Sequence, residues 1–325
     1  MQRAASFRLI SAGAVVAILV ALHRSGPSGD VQWLMELKNA GHAVVFGVIA
    51  LLTLALIGGR SPRAYALALI VTLLLGIASE AAQILRPDRD ASLADWFRDA
   101  AGAVACLCLA AIWQGTAARP ATRLALFATA MLCAVAVARP VFATWQDYRN
   151  RDAAFPVLCC TGEGWDRRFL RTNFADLIVD PPAPPGVPDG FRRIDFQPSA
   201  WPGVVIHEVY PDWNGYAALA FDVYVQAEMP TRLVLRVDDR DHDGRDYRDR
   251  LDLGLPIRPG LNRFHVALRD IEEAPKTRRM DLRRMDKVFL FADRPGEPFS
   301  IYWSGFRLLS AAELAESDST TAVVE

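Results

Sequence analysis

The sequence predicts two domains: an all-α polytopic membrane domain of about five helices, followed by an all-β antiparallel jelly-roll sandwich. Long apolar runs with short polar links fill the chain up to Trp145, and short alternating segments between turn residues follow. Charge divides the chain at the same place. There are 12 Lys and Arg against 7 Asp and Glu up to Trp145, and 24 against 30 beyond it. The near-neutral total therefore conceals two physically different parts.

Five segments are predicted to cross a membrane, because each approaches the about 20 apolar residues that a spanning helix needs. They are Phe7–Leu22, Ala40–Ile57, Ala64–Leu85, Trp96–Trp113 and Leu124–Phe142. The first could pass for a signal peptide, but residues 21–24 make a poor cleavage site, so we expect an anchor. The fourth becomes cleanly apolar only at Ala100, so a tilted or re-entrant segment is an alternative to a full span.

The polar links predict the orientation of the membrane domain. The N-terminus, the Gly58–Arg63 link and the Gln114–Arg123 link together carry six arginines and no acid. If all five segments span, these three regions lie on one side, and the positive-inside rule makes that side cytoplasmic. The second half of the chain is then extracytoplasmic. If the fourth segment only enters and returns, the second half lies on the opposite side.

Ionisable residues gather at the predicted outer ends of the spans, where they form a candidate headgroup-binding site. A carboxylate inside an apolar helix is costly unless it is paired or wet, so Glu80 marks the place to look for function. The candidate residues are Lys38, His42, Glu80, Gln83, Arg86, Arg89, Asp95 and Asp99. The alternative for any one of them is a structural role, in which it reaches the membrane interface or holds two helices together.

Part of this set resembles the VanZ-like family of bacterial membrane proteins. The resemblance rests on His42 with Phe46, on the run Glu80-x-x-Gln83, and on Arg86, Arg89, Ser92, Asp95, Asp99 and Gly102, over about the first third of the chain. One departure is Asp99, because the family usually has Asn there. The resemblance implies a bacterial inner-membrane protein related to glycopeptide resistance, and it implies the same site, but it assigns no reaction.

The second half is predicted to contain a linker or surface segment at 146–189, a β-sandwich at 190–310 and a flexible tail at 311–325. The expected strands are Gly203–Tyr210, Ala218–Gln226, Arg232–Asp238, Asn262–Leu268, Lys287–Ala292 and Phe299–Leu308. Trp303, inside the last of them, is expected in the core. The run Trp213–Tyr224, the turn Pro259–Asn262 and the closing Ile301–Phe306 are similar to those of galactose-binding-like jelly rolls, which include many carbohydrate-binding modules.

The segment Asp238–Arg250 is the most polar stretch of the chain, and three interpretations of it stay open. Asp239, Asp241 and Asp243 are spaced like the start of a calcium loop, although the acid and flanking helices of an EF-hand are missing, so Ca²⁺ is the one cofactor that the sequence suggests. A glycan site is the second interpretation, and a solvated hairpin tip is the third. The candidate glycan-binding residues are Trp213, Asp239, His242, Tyr247 and Arg250.

The motifs of common enzymes are absent, since the sequence contains no G-x-S-x-G, P-loop, H-E-x-x-H or C-x-x-C. Nucleic acid is not an expected partner, because the second half is acidic and its basic residues are interspersed with acids. We therefore expect an envelope membrane protein that binds a membrane lipid or lipid-linked glycan headgroup and also an envelope polysaccharide. The alternative is an intramembrane acid–base enzyme with Glu80 and His42 as its candidate catalytic residues. A transporter is the third hypothesis, and the absence of an apparent internal repeat argues against it.

Overall fold

The computed structural model describes residues 31–84, 93–160, 164–182, 184–229, 231–242, 244 and 246–321, together with Gly13 and Val15. The chain divides into two compact units, Met1–Trp145 and Gln146–Glu325.

The first unit contains four described helices that are long and apolar enough to cross a membrane. They are α1 (Gln32–Ile57), α2 (Pro62–Ile84), α3 (Leu93–Trp113) and α4 (Pro120–Ala154), the last of which continues into the second unit. Large apolar side chains are exposed on each of them, among them Val44, Leu74, Leu109 and Leu132. These four helices cover the second to fifth predicted spans. The first predicted span, Phe7–Leu22, lies outside the described residues apart from Gly13 and Val15, and Val15 is buried with Phe46 and Ile49.

Small residues allow α1 and α3 to pack closely. A Cβ atom at Gly102 would overlap the backbone carbonyl of Ala43, and one at Gly47 would meet the sulfur of Cys106. Ala43 and Gly47 are four residues apart, as are Gly102 and Cys106, so each helix presents small residues at the spacing typical of close helix contacts in membranes. This contact determines which polar residues of the two helices become neighbours.

The second unit is an antiparallel β-sandwich, as predicted. Its strands are β1 (Leu170–Asn173), β2 (Ala175–Ile178), β3 (Arg192–Phe196), β4 (Gly203–Ile206), β5 (Ala218–Val225), β6 (Leu233–Asp239), β7 (Leu251–Leu255), β8 (Gly260–Ala267), β9 (Met285–Ala292), β10 (Phe299–Trp303) and β11 (Arg307–Leu309). One sheet has the order β1-β4-β9-β6-β7. The other has the order β11-β5-β10-β3-β2, with β8 also paired to β5.

The alternating residues of these strands form the core between the sheets. Leu219, Phe221 and Val223 on β5 are buried, as the period-two pattern predicts. Their counterparts in the facing sheet include Leu235 on β6, and Trp303 on β10 is fully buried, which confirms its predicted place in the core.

Three expectations about the second unit were wrong in detail. The segment predicted as a linker contributes β1 and β2, which pair with β4 and β3. These strands were not predicted, because they carry too few residues to show alternation. β7, which directly follows the charged segment, was also missed. The predicted flexible tail begins with α6 (Ala311–Thr321), and a reciprocal cap between Ser310 and Glu313 starts it. A short helix α5 (Leu268–Glu273) follows β8.

Candidate functional site

His42 of α1 and Asp99 of α3 form the centre of the polar cluster in the membrane unit. The Nδ1 atom of His42 lies 3.4 Å from Oδ1 of Asp99, and Asp99 is 2% exposed. Neither the imidazole Nδ1 nor either carboxylate oxygen of Asp99 has a well-aligned hydrogen bond among the residues that the structure describes. The close contact of α1 with α3 brings this pair together, since each residue lies within three positions of Ala43 or Gly102.

Helix α2 adds Glu80 to the same cluster. Gly76 leaves room beside Asp99, because a Cβ atom there would contact Trp96, Phe46 and the carboxylate of Asp99. Glu80 follows one turn later, is buried, and interacts electrostatically with both His42 and Asp99. Three helices therefore contribute one ionisable group each to the same site.

The remaining predicted headgroup residues are less closely placed. Asp95 pairs with Arg98 on α3 and lies within electrostatic reach of His42. Lys38 lies one turn before His42 on α1 and is exposed. The side chain of Gln83 is not described, and Arg86 and Arg89 lie outside the described residues. The structure thus unites His42, Glu80, Asp95 and Asp99, which we call the membrane cluster.

Asp239 is not free to bind calcium or sugar, so both expectations for it are wrong. Its oxygens Oδ2 and Oδ1 accept hydrogen bonds from Nη1 and Nη2 of Arg278, each at 2.6 Å, and the backbone N–H of Asp281 also donates to Oδ2 at 2.8 Å. Burial acts to raise the pKa of Asp239, but these hydrogen bonds outweigh it and leave that pKa below its ordinary value. The side chain is a structural anchor.

The other members of the predicted calcium set do not restore the site. Asp241 pairs with Arg284, with its Oδ1 atom 2.6 Å from Nη1, and Asp243 lies outside the described residues. In the part of the chain that the structure describes, no group of three or more His, Cys, Asp or Glu side chains is arranged to hold a metal ion. Two arginines from a distant part of the chain, Arg278 and Arg284, therefore pair with two of the acids that the spacing had assigned to calcium.

Trp213 is also unavailable to a ligand, and the expectation that it stacks on sugar is wrong. The residue is completely buried, and its Nε1 donates to the backbone carbonyl of Tyr210 at 2.8 Å. The turn-like sequence around it suggested exposure. The large ring contributes more to stability in the core than it would on the surface, and the carbonyl of Tyr210 satisfies its single polar atom, Nε1.

His242, Tyr247 and Arg250 lie together on one surface, between β6 and β7. The guanidinium carbon of Arg250 is 4.6 Å from the centre of the Tyr247 ring, which is 68% exposed. Nη1 of Arg250 is 3.5 Å from Nε2 of His242, and Nδ1 of His242 bonds to the carboxylate of Asp249. An aromatic ring and planar polar groups are thus present at one place.

Asp238 belongs to this surface, although the sequence analysis did not select it. It interacts electrostatically with His242 and Arg250, and its Oδ1 atom has no hydrogen-bond partner although the residue is only 8% exposed. Burial raises the pKa of Asp238, and the neighbouring cations only partly oppose that effect. The signal was available in the strand pattern: Leu233, Leu235 and Val237 point to the core, so alternation places Asp238 on the outer face. Asp238, His242, Tyr247 and Arg250 are called the Tyr247 surface below.

The outer face of β6 extends this surface toward two phenylalanines. Asp252 on β7 accepts hydrogen bonds from Nε of Arg250 at 3.2 Å and from Nε of Arg236 at 2.6 Å. The guanidinium carbon of Arg236 in turn lies 4.8 Å from the ring centre of Phe291, which stacks with Phe289. A continuous row of guanidinium, carboxylate and aromatic groups therefore crosses the sheet.

Comparison with known proteins finds no matching family model and no significantly similar curated protein, so the VanZ-like resemblance has no independent support. Several solved structures are similar to the second unit. An exo-beta-agarase is 14% identical, with 44% of this chain and 24% of that chain covered and a TM-score of 0.35. The family 11 carbohydrate-binding module of a cellulosomal cellulase from Clostridium thermocellum is 12% identical, with 46% and 85% covered and a TM-score of 0.33. A family 30 module from the same organism is 16% identical, with 44% and 87% covered and a TM-score of 0.31.

The chain thus spans only about a quarter of the agarase that it matches. At these identities and TM-scores, the similar structures assign no chemistry to the two candidate sites.

Proposed function

We propose that this protein is an integral membrane protein of the bacterial cell envelope that recognises a glycan through its β-sandwich. One observation carries the proposal: the exposed Tyr247 ring lies against the guanidinium of Arg250, and Oδ1 of the neighbouring, enclosed Asp238 has no hydrogen-bond partner in the described part of the chain. Buried polar groups are normally satisfied, so an acceptor left open beside an exposed aromatic ring implies a ligand or water that completes it.

A sugar ring has the complementary chemistry. Its apolar C–H face can cover the Tyr247 ring, while one hydroxyl donates to Asp238 and another accepts from Arg250. Hydrogen bonds to charged groups are the stronger kind, and each contributes about 1.5–3 kcal/mol. Asp252 and Arg236 extend the same donors and acceptors along the sheet, which favours an oligosaccharide or polysaccharide over a single sugar.

The membrane cluster is proposed to bind a lipid or lipid-linked glycan headgroup. The support is again an unsatisfied buried group, because Asp99 is almost completely enclosed and neither of its oxygens has a well-aligned hydrogen bond. A headgroup hydroxyl or ammonium would donate hydrogen bonds to those oxygens and so remove the free-energy cost of burying them without a partner. The outer leaflet is part of this proposal, because the arginine-rich links favour the cytoplasmic side for the opposite end of the helices under the positive-inside rule.

The sandwich proposal is tested with the full-length protein in detergent and a panel of bacterial envelope polysaccharides. We expect the wild type to bind at least one polysaccharide and the Tyr247→Ala variant to lose that binding. Trp201→Ala is the matched control, because Trp201 is a second partly exposed aromatic residue of the same unit, outside the Tyr247 surface. Failure of the wild type to bind any polysaccharide, or equal binding by Tyr247→Ala, would contradict the proposal.

The membrane proposal is tested separately in nanodiscs that carry a polyprenyl-diphosphate-linked disaccharide. Binding is expected for the wild type and for Asp152→Asn, whose side chain is half exposed outside the membrane unit. Asp99→Asn should bind at least tenfold more weakly, since an amide has only one acceptor oxygen. Equal affinity of Asp99→Asn and wild type would remove the membrane cluster from the proposal.

The second candidate function is an intramembrane acid–base enzyme, which the His42–Asp99 pair favours. A carboxylate beside an imidazole nitrogen orients the ring and stabilises its protonated form, so that the other nitrogen can exchange a proton with a bound headgroup. In the same nanodiscs, mass spectrometry should then detect a product from wild type that His42→Gln and Glu80→Gln do not form. Binding without any product would favour recognition over catalysis.

A further inference from the structure

The interior of the sandwich contains a charged residue where the strand pattern requires an apolar one. Arg192, Ile194 and Phe196 alternate on β3 and are all buried, so the guanidinium of Arg192 points to the same side as two core residues. A charge in this position is tolerated only when partners compensate for the lost water. The partners of Arg192 therefore show what this position is for.

The partners within the chain are incomplete. Asp166, in the 3₁₀ turn Trp165–Arg168, forms an ion pair with Arg192, and its Oδ2 atom lies 3.7 Å from Nη2 of Arg192. That same oxygen accepts a hydrogen bond from the backbone N–H of Cys160 at 2.7 Å, so it compensates the charge of Arg192 only in part. Nη1 of Arg192 has no hydrogen-bond partner in the described part of the chain, although the side chain is only 6% exposed.

A cavity of about 290 Å³ adjoins this guanidinium. Its polar wall consists of Arg192, Asp166 and the exposed Arg167, and its apolar wall consists of Leu170, Leu177 and Val179. Two arginines against one aspartate give the polar wall a net positive charge. The volume is at the lower end of the range typical of ligand pockets, so a small molecule fits and a polymer does not.

We propose that this cavity is a binding site for a small organic acid, whose carboxylate bonds to Nη1 of Arg192 and whose apolar body packs on Leu170, Leu177 and Val179. A carboxylate supplies the acceptors that the buried guanidinium lacks, and guanidinium–carboxylate hydrogen bonds are among the strongest in proteins. The apolar wall favours an organic acid over an inorganic anion, which would leave that wall uncovered. This site is separate from the Tyr247 surface and does not depend on the proposed glycan recognition.

The test measures binding of benzoate and butyrate to the full-length protein in detergent, by calorimetry and by the shift in melting temperature. Both acids should bind with a Kd on the order of 1 mM, as suits ligands of this size. Benzamide, which has the shape of benzoate without the charge, should not bind. Inorganic phosphate should bind more weakly than benzoate. Equal binding of benzamide and benzoate, phosphate binding as tight as benzoate, or no binding of either acid would overturn the proposal.

Variants of neighbouring arginines place the site. Arg192→Met should abolish benzoate binding, whereas Arg193→Met should leave it unchanged, because Arg193 lies on the opposite face of the same strand and pairs with Asp195. If Arg192→Met does not fold, Arg167→Met serves instead, since its side chain is exposed and its loss should weaken binding several-fold. Full benzoate binding in a folded Arg192→Met variant, or in Arg167→Met where that variant is used, would contradict the assignment.

Discussion

Asp239 and Arg278 form a two-point ion pair in which both carboxylate oxygens accept guanidinium hydrogen bonds of 2.6 Å. The preceding residue, Asp238, has the opposite environment, with an oxygen that no described residue satisfies. The register of β6 with β9 shifts between the two residues. Two adjacent carboxylates therefore have pKa values that move in opposite directions, which gives two opposite predictions for stability.

Asp239→Asn should destabilise the protein at about pH 7 by about 3 kcal/mol, because it removes the buried carboxylate of the ion pair and leaves Arg278 with only its weaker contacts to Asp249. The folded-state pKa of Asp239 lies below the reference value of 3.8, so its contribution is present above that value and disappears as the pH falls through the folded-state pKa. Melting curves of wild type and variant should therefore converge in strong acid. A difference that is independent of pH would contradict the ion-pair explanation.

Asp238→Asn should stabilise the protein at about pH 7, since burial raises the pKa of Asp238 and an amide avoids the cost of an enclosed charge. With a folded-state pKa above 3.8, wild-type stability declines as the pH rises from that value to the folded-state pKa. The variant should lack this decline and be more stable than the wild type at neutral pH. Melting temperatures measured across this range test the sign. Lower stability of the variant at neutral pH would show that Asp238 already has a partner.

Gly102→Ala should disrupt the packing of α1 against α3, because the added Cβ would overlap the carbonyl of Ala43. We expect a loss of about 2 kcal/mol or more, as is typical of overpacked contacts. Gly41→Ala is the control, since a Cβ there meets no atom within 4 Å. The comparison is made by thermal unfolding of the two variants in detergent. Equal stability of both would show that α1 and α3 do not pack this closely at Gly102.

Ser310→Ala should loosen the start of α6. Ser310 and Glu313 bond reciprocally to each other's backbone N–H groups, and loss of such a cap costs about 1 kcal/mol. Amide hydrogen exchange over 311–317 should therefore become faster in the variant. Ser317→Ala, within the same helix, should leave exchange at the first turn unchanged. Unchanged protection in Ser310→Ala would mean that tertiary contacts, not the cap, hold this helix.

Sequence patterns were sufficient for the parts of the fold that repeat regularly. The apolar lengths predicted α1 to α4, and alternation predicted strands such as β5 and β6. Very short strands were missed, because β1 has only four residues and three of them are exposed. The capping sequence Ser310-x-x-Glu313 was a readable signal for α6 that the expectation of a flexible tail overlooked.

Site residues were harder to predict, because spacing does not reveal partners. Asp239 matched a calcium pattern, but its carboxylate pairs with Arg278, which lies 39 positions later in the chain. Trp213 stood in a turn-like sequence and is nevertheless in the core. Residue type alone did select His42, Glu80 and Asp99, since ionisable groups in apolar helices are rare. Arg192 gave no signal in the sequence, because only the register of β3 shows that it points inward.

In the proposed function, the sandwich recognises a glycan through the Tyr247 surface. The most direct measurement is a calorimetric titration of the full-length protein with the best-binding envelope polysaccharide, comparing wild type, Tyr247→Ala and Trp201→Ala. Loss of an exposed aromatic contact at the centre of a site should weaken binding about tenfold or more in Tyr247→Ala. Trp201→Ala should match the wild type. Equal affinity of Tyr247→Ala and wild type would contradict the claim.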